Sequence, residues 1–220
     1  MLVLQSIFPL SGAPSKICCN PIVVLAAVKR QGLQLEHASL GLKDNKAIVI
    51  EAVQADGKAL RYASDAMKGD KTVVVAAVKQ NGDALKFAFN IVKGDREVCL
   101  AAVTQDGNAL KHCSVEMMSD RQVVLTALQS DGRVLGLADK SLRNDREIVM
   151  AAVASNSKAI KFASEQQVRT LLTSNCIASK RLLFLLPARF LHSCVRVYTD
   201  MIKPHAYVHH FDTHRKSARK

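Results

Sequence analysis

The side chains with the clearest capacity for chemistry are basic residues that recur at a fixed step of 25 residues. Two such series run through the chain, and the second lies seven residues after the first. Their members are Arg61, Lys68, Lys86, Lys93, Lys111, Arg143 and Lys161. Because residues seven apart share one face of a helix, the two series predict a positive stripe able to bind an acidic protein surface or a polyanion.

The same basic residues also have a purely structural explanation. Lys68, Lys93 and Arg143 stand where a helix is expected to end, and cations in the last turn of a helix stabilise its partial negative charge. On this interpretation the stripe is a solvated face whose charges support local structure. The residue types alone do not separate the two interpretations.

Histidines form a second group with possible chemistry. His205, His209, His210 and His214 cluster near the end of the chain, and a His pair four residues apart can hold a metal ion on one helix face. Apart from Asp212, no acidic residue or cysteine completes a recognisable site. The pattern therefore predicts a solvated tail, with neither a metal centre nor a cofactor.

Six cysteines are present, without a C-x-x-C pair. Cys99 and Cys113 occupy positions of a repeated pattern that otherwise carry Val and Ala, so they are interpreted as small core residues. This usage favours a reducing compartment such as the cytoplasm. No apolar run reaches the roughly 18 residues that a membrane-spanning helix requires.

The elements that must position these side chains are set by an internal repeat. Five glycines follow one another at steps of 25 residues, and Ser157 continues their series. They are Gly32, Gly57, Gly82, Gly107 and Gly132. An acidic or amide residue keeps the same step. Its copies are Asn20, Asn45, Asp70, Asp95, Asp120 and Asp145. Six copies of the pattern cover residues 20–169.

Each copy is predicted to form two short helices. An Asp such as Asp70 caps the first helix by accepting from its free N–H groups, and Gly82 ends it in the left-handed conformation at C′. The second helix carries Leu85, Ala88 and Val92 on one face. Helices this short are marginal in water, so each hairpin must stack on the next. The prediction is an all-α solenoid of tandem 25-residue hairpins.

Two further sets of equivalent positions in the repeat lead to predictions. Basic residues directly after the caps predict a ladder of ion pairs between neighbouring copies, each weak on its own at roughly 0–1 kcal/mol. An alanine recurs at Ala77 and at every equivalent position, which indicates a close approach of helices. The glycine and aspartate residues that could suggest catalysis thus belong to the repeated pattern. No known catalytic or nucleotide-binding motif is present. We expect no enzyme activity.

The pattern D-x-x-V-V-L-A-A-V-x-x-x-G-x-A-L-x-x-A-S closely resembles the helical repeat family catalogued as domain of unknown function 4116. The copy beginning at Asp95 matches best, with Gly107 and Ser114 in register. The resemblance implies about three tandem family units of two copies each, and it carries over a fold without catalytic residues. It also implies a possible host-directed role, since some relatives are thought to be delivered into host cells. Ser157 and Gly136 depart from the pattern.

The ends of the chain differ from the repeats. Residues 1–19 resemble a degenerate half-repeat, and residues 170–220 lose the 25-residue phase. The chain has 31 Lys and Arg against 19 Asp and Glu, a formal net charge of +12. Residues 170–220 carry nine Lys and Arg against two Asp, a net of +7. This segment is predicted to be basic, partly helical or disordered.

The function favoured by the sequence is a non-enzymatic scaffold that mediates protein–protein interaction, because solenoids present extended binding surfaces. The alternative is a binder of nucleic acid or anionic membrane through the stripe and the basic end. Aromatic residues make up only 5% of the chain, which argues against a base-stacking platform, and no specific nucleic-acid motif is present. A host-directed effector is the second alternative.

Overall fold

The computed structural model describes residues 10–173, and within that range every regular element is helical. Each repeat holds three segments: a ten-residue α-helix, a six-residue 3-10 helix and a short α-helix. The long helices are Pro21–Arg30, Lys46–Ala55, Lys71–Gln80, Arg96–Gln105, Arg121–Ser130 and Arg146–Ser155. The 3-10 helices are Gly32–His37, Gly57–Tyr62, Gly82–Phe87, Gly107–His112, Gly132–Leu137 and Ser157–Phe162. The short helices are Ser15–Cys18, Leu40–Lys43, Asp65–Gly69, Asn90–Lys93, Val115–Met118 and Lys140–Arg143, and Glu165–Thr173 follows them.

The long helices form one layer and the 3-10 helices another, and each long helix packs against the long helix of the next repeat. A side-chain cap begins each long helix. The Asp70 carboxylate accepts from the N–H groups of Thr72 and Val73 at 2.8 and 3.2 Å, which satisfies two otherwise free donors of the first turn. The chain is therefore an all-α solenoid with one continuous apolar core. None of the described helices is long and apolar enough to cross a membrane.

The second helix of each repeat is not continuous, contrary to the sequence-based expectation. In the third repeat the 3-10 helix ends at Phe87, Ala88 is extended with φ −71° and ψ 158°, and a separate helix begins at Asn90. The break frees the N–H of Phe89, which donates to the Lys68 carbonyl of the preceding repeat at 3.2 Å. A local helix would have kept this donor within its own repeat.

The same backbone hydrogen bond recurs at every repeat boundary. The donor and acceptor pairs are Ser39–Cys18, Ser64–Lys43, Phe89–Lys68, Ser114–Lys93, Asp139–Met118 and Ser164–Arg143, at 3.0 to 3.2 Å. Neighbouring repeats are thus joined by backbone as well as by side-chain packing. The first of these bonds reaches back to Cys18, so residues 15–18 stand in the place of a short helix before the first full repeat.

The role predicted for the repeated glycines is also wrong. Among the described residues only Gly12 has a positive φ, so no repeat glycine ends a helix in the left-handed conformation. Instead each opens a 3-10 helix beneath a carbonyl of the next repeat. A Cβ on Gly82 would lie 2.6 Å from the Ala102 oxygen. The contact recurs at Gly32, Gly57, Gly107 and Gly132, each against the equivalent alanine oxygen.

The alanine column therefore marks the same close approach as the glycine column. Gly82 further donates its N–H to Gln105 Oε1 at 2.6 Å, which joins the third repeat to the fourth. The regular pattern ends at Thr170. There the capping Asp or Asn is missing, and one helix, Glu165–Thr173, runs through the position at which earlier repeats restart.

An ion-pair ladder follows the capped ends of the long helices, as the sequence predicted. Lys46 Nζ lies 2.7 Å from Asp70, Lys71 lies 2.8 Å from Asp95, and Arg96 lies 2.9 Å from Asp120. Arg121 and Asp145 complete the series at 2.6 Å. Each carboxylate serves twice, because it caps its own helix and pairs with the preceding repeat. The Lys46 ammonium is the main cause that lowers the pKa of Asp70 to about 2.

We predict that Gly82→Ala destabilises the protein by about 1–3 kcal/mol, because the added methyl group overlaps the Ala102 oxygen and backbone must move. Gly41→Ala is the matched control. A Cβ there meets nothing within 4 Å, so the free energy of unfolding should stay the same or rise by up to about 1 kcal/mol. Urea unfolding followed by circular dichroism measures both. Equal effects of the two variants would refute the close-approach explanation.

A second prediction concerns acid. The folded-state pKa of Asp70 lies below its ordinary value, so its contribution to stability is present above about pH 4 and is lost as the pH falls towards 2. Asp70→Asn should reduce this acid-dependent loss by about 1 kcal/mol, discounted for solvent screening. The cap itself should survive, because Asn45 caps its helix through the same two hydrogen bonds. Unfolding curves at several pH values between 6 and 2 provide the measurement, and an unchanged pH slope would contradict the prediction.

A candidate basic cleft between the fifth and sixth repeats

The predicted stripe lies on two kinds of segment rather than on one helix face. Arg61 belongs to the 3-10 helix Gly57–Tyr62, whereas Lys68 ends the short helix Asp65–Gly69, with extended Ala63 between them. The seven-residue spacing therefore does not place the two series on a common helix. They instead form the outer edge of the solenoid, along the junction between 3-10 helices and short helices.

Acidic partners neutralise the middle of this edge. Asp83 accepts from Lys86 Nζ at 2.6 Å, contacts His112 Nε2 at 2.9 Å and lies 3.4 Å from Lys111 Nζ. These partners, Lys86 first, hold the pKa of Asp83 well below its usual range. Lys93 donates to the Lys86 carbonyl at 3.1 Å. The positive surface is thus interrupted at the third and fourth repeats.

Aromatic rings support several of the cations. Arg61 lies over the Tyr62 ring at 4.7 Å, and Lys86 lies 4.9 Å from the centroid of Phe87. The rings are half-buried beneath the edge. His37 and His112 occupy the same repeat position and are half-buried as well. The sequence missed the cation–ring contacts, although the adjacent basic and aromatic residues were the available signal.

Between the fifth and sixth repeats the edge becomes concave. A cleft of about 340 Å³ is lined by Lys140, Arg143, Lys161, Phe162, Ala163 and Ser164. The first two side chains come from the short helix Lys140–Arg143. Lys161 and Phe162 end the last 3-10 helix, and Ala163 and Ser164 follow it. Three cations line this cleft, and its described lining contains no carboxylate. This set of six residues is named here the basic cleft.

Backbone and side-chain hydrogen bonds hold the two walls of the basic cleft together. Ser164 donates its N–H to the Arg143 carbonyl at 3.0 Å, which is the bond that joins every pair of repeats. The Ser164 hydroxyl donates to Asn144 Oδ1 at 2.6 Å and accepts from Gln167 N–H at 3.2 Å. Its hydrogen is therefore used within the fold. Ser164 shapes the cleft, and the positive charge of the cleft comes from Lys140, Arg143 and Lys161.

Gly136 leaves room for the ring at the floor of the basic cleft. A Cβ on Gly136 would lie 2.8 Å from Phe162 Cδ1, so only glycine lets the ring pack against this backbone. Lys161 in turn lies over the Phe162 ring at 4.7 Å. Sequence analysis identified Gly136 only as a departure from the repeat. The structure shows that the missing side chain accommodates Phe162.

The charge of the basic cleft is set mainly by Arg143 and the two lysines. Arg143 Nε is buried and has no hydrogen-bond partner among the described residues. Asp139 stands one turn earlier than Arg143. Its carboxylate accepts from the N–H and the hydroxyl of Ser141 at 2.8 Å each, and these bonds lower the pKa of Asp139. A carboxylate or phosphate is the group that such a set of cations binds.

The other predicted site residues fall in two groups. Asp70, Asp95, Asp120 and Asp145 are N-caps in the structure and lie outside the basic cleft. The cluster His205, His209, His210 and His214 lies outside the described residues. Within the part that the structure describes, no group of three or more His, Cys, Asp or Glu residues is arranged to hold a metal ion.

Comparison with known families gives one match. The model described as "Domain of unknown function (DUF4116)" matches residues 20–68, 45–93, 70–118, 95–143 and 120–166. Successive matches start 25 residues apart, so each spans two repeats of the structure and overlaps the next by one. Neither a protein of curated function nor a solved structure matches the chain.

Proposed function

The chain belongs to the family described as domain of unknown function (DUF4116), and from that premise we propose that it is a non-enzymatic scaffold that binds an acidic segment of a partner protein. The observation that carries the proposal is the basic cleft, where Lys140, Arg143 and Lys161 converge beside the Phe162 ring. A peptide carboxylate meets complementary charge there, and an adjacent apolar group meets the ring.

The solenoid supports this proposal through its shape. Stacked repeats give an extended surface on which the exposed residues of each repeat are free to differ. Leu40, Ile91 and Val115 are exposed apolar residues on three different short helices, close in the repeat to the residues that line the cleft. A partner segment that follows the edge of the solenoid would meet apolar positions as well as cations.

The proposed absence of catalysis rests on how the chemistry-bearing groups are used. Each capping Asp accepts from two backbone N–H groups and pairs with a cation of the preceding repeat, so its lone pairs serve the fold. Asp83 is likewise surrounded by three cationic or imidazole groups. We propose a reducing compartment such as the cytoplasm, since the four described cysteines are free thiols.

Charge reversal in the basic cleft tests the proposal. Lys140→Glu with Lys161→Glu should weaken binding of a fluorescent Glu-rich peptide at least about tenfold, because two attractive contacts become repulsive. The matched control is Lys58→Glu with Lys158→Glu, which makes the same change of net charge at exposed positions outside the cleft. Fluorescence anisotropy at a fixed salt concentration measures both. Equal weakening by the two double variants would contradict a cleft-specific role.

Nucleic acid and anionic vesicles serve as competing probes in the same experiment. A polyanion binder should lose affinity steeply with salt, and Arg61→Glu, Lys86→Glu and Lys111→Glu together should abolish the interaction. The proposed scaffold should instead bind the peptide more tightly than duplex DNA at physiological salt. The interruption of the stripe by Asp83 supports that ranking. Tighter binding of DNA, lost in the triple variant, would replace the scaffold proposal with the polyanion function.

A further inference from the structure

In the fourth repeat, two buried positions carry a residue different from the one that the other repeats have there. The position of Cys99 is a fully buried Val in the other five repeats, at Val24, Val49, Val74, Val124 and Val149. The position of Cys113 is a buried Ala, at Ala38, Ala63, Ala88, Ala138 and Ala163. No other cysteine lies in the six repeats, residues 20–169. Both exchanges therefore fall in the same repeat.

The two exchanged side chains meet inside that repeat. Cys99 lies on the long helix Arg96–Gln105 and Cys113 directly follows the 3-10 helix Gly107–His112, and the two thiols are neighbours. Cys99 is 0% exposed and Cys113 is 7% exposed. The Cys99 S–H donates to the Lys93 carbonyl at 3.1 Å, and the Cys113 S–H donates to the Ala109 carbonyl at 3.8 Å. The fold thus holds two reduced sulfur atoms side by side in an apolar interior.

We propose that Cys99 and Cys113 are an oxidisable dithiol, which a small peroxide converts into an intra-repeat disulfide. The Cys99 sulfur attacks a peroxide oxygen, the O–O bond breaks, and one water leaves as Cys99 becomes a sulfenic acid. The Cys113 sulfur then attacks the Cys99 sulfur, the S–O bond breaks, and a second water leaves. Two electrons pass from the thiols to the peroxide, and both thiol protons end in water.

The order of the two steps follows from the contact between the sulfurs. The neighbouring Cys113 thiol is the main cause that lowers the pKa of Cys99. The same contact, together with burial, raises the pKa of Cys113. Because the thiolate is the nucleophile, Cys99 reacts with the peroxide first and Cys113 resolves the intermediate.

Burial limits when this reaction happens. The peroxide reaches Cys99 only when the 3-10 helix and the following extended residue move away from the long helix, a local opening of one repeat. Once formed, the disulfide closes a loop around the 3-10 helix Gly107–His112 and opposes the next opening. Oxidation would therefore tie the two helical layers of the solenoid together at its fourth repeat.

The experiment uses the full chain, fully reduced, then treated with hydrogen peroxide and alkylated under denaturing conditions. Trypsin cuts after Arg96, Lys111 and Arg121, which places Cys99 and Cys113 on separate peptides of residues 97–111 and 112–121. Mass spectrometry should find these two peptides joined, with the loss of two hydrogen atoms. The melting temperature of the oxidised protein should rise by about 5–10 °C.

Matched variants restore the residue that the other repeats carry. Cys99→Val and Cys113→Ala should each fold, and each should abolish both the joined peptide and the rise in melting temperature. Rescue of both by a reductant completes the expected result. If peroxide leaves both thiols free, or if each is oxidised singly to sulfinic acid, the pair is a core packing exchange and the proposal is wrong. A disulfide from either residue to Cys18, Cys19, Cys176 or Cys194 in place of the joined pair would overturn it as well.

Discussion

The structure depends on the contact between a glycine in one repeat and an alanine carbonyl in the next. With no side chain at Gly82, the 3-10 helix can lie directly beneath the end of the following long helix, and the Ala102 oxygen occupies the space that a Cβ would need. This distance fixes how closely successive repeats stack. The inter-repeat hydrogen bond from Phe89 N–H to Lys68 and the ladder pair of Lys71 with Asp95 both require the same spacing.

How much of this fold a sequence can predict depends on how far apart the interacting groups are. The cap at Asp70 was predictable because it binds N–H groups two and three residues away. The core columns were predictable from their period. The division of the second helix was not, since Leu85, Ala88 and Val92 satisfy a helical spacing in either arrangement. The hydrogen bond that divides the helix is donated by Phe89 N–H to the Lys68 carbonyl of another repeat, and the local sequence pattern contains no information about that bond.

The same limit applies to the candidate site, where contacts between distant residues could not be predicted from the sequence. The basic residues were visible as a period, but their balance of charge was not, because Asp83 contacts two lysines and a histidine that lie three, 28 and 29 residues away in the chain. The basic cleft was hidden for a second reason. Its floor depends on Gly136 leaving room for Phe162. A missing side chain in one repeat that accommodates a ring from the next can be recognised only when the two repeats are seen together.

A periodic scaffold makes departures from the period informative. A residue present in all six repeats is explained by stacking, so its chemistry is already committed to the fold. Gly136 and the pair Cys99 and Cys113 break a column and acquire a specific neighbour by doing so. In a solenoid of this kind, a specific function is therefore to be sought where two departures meet in space, because one exchange alters packing whereas two in contact create a new chemical environment.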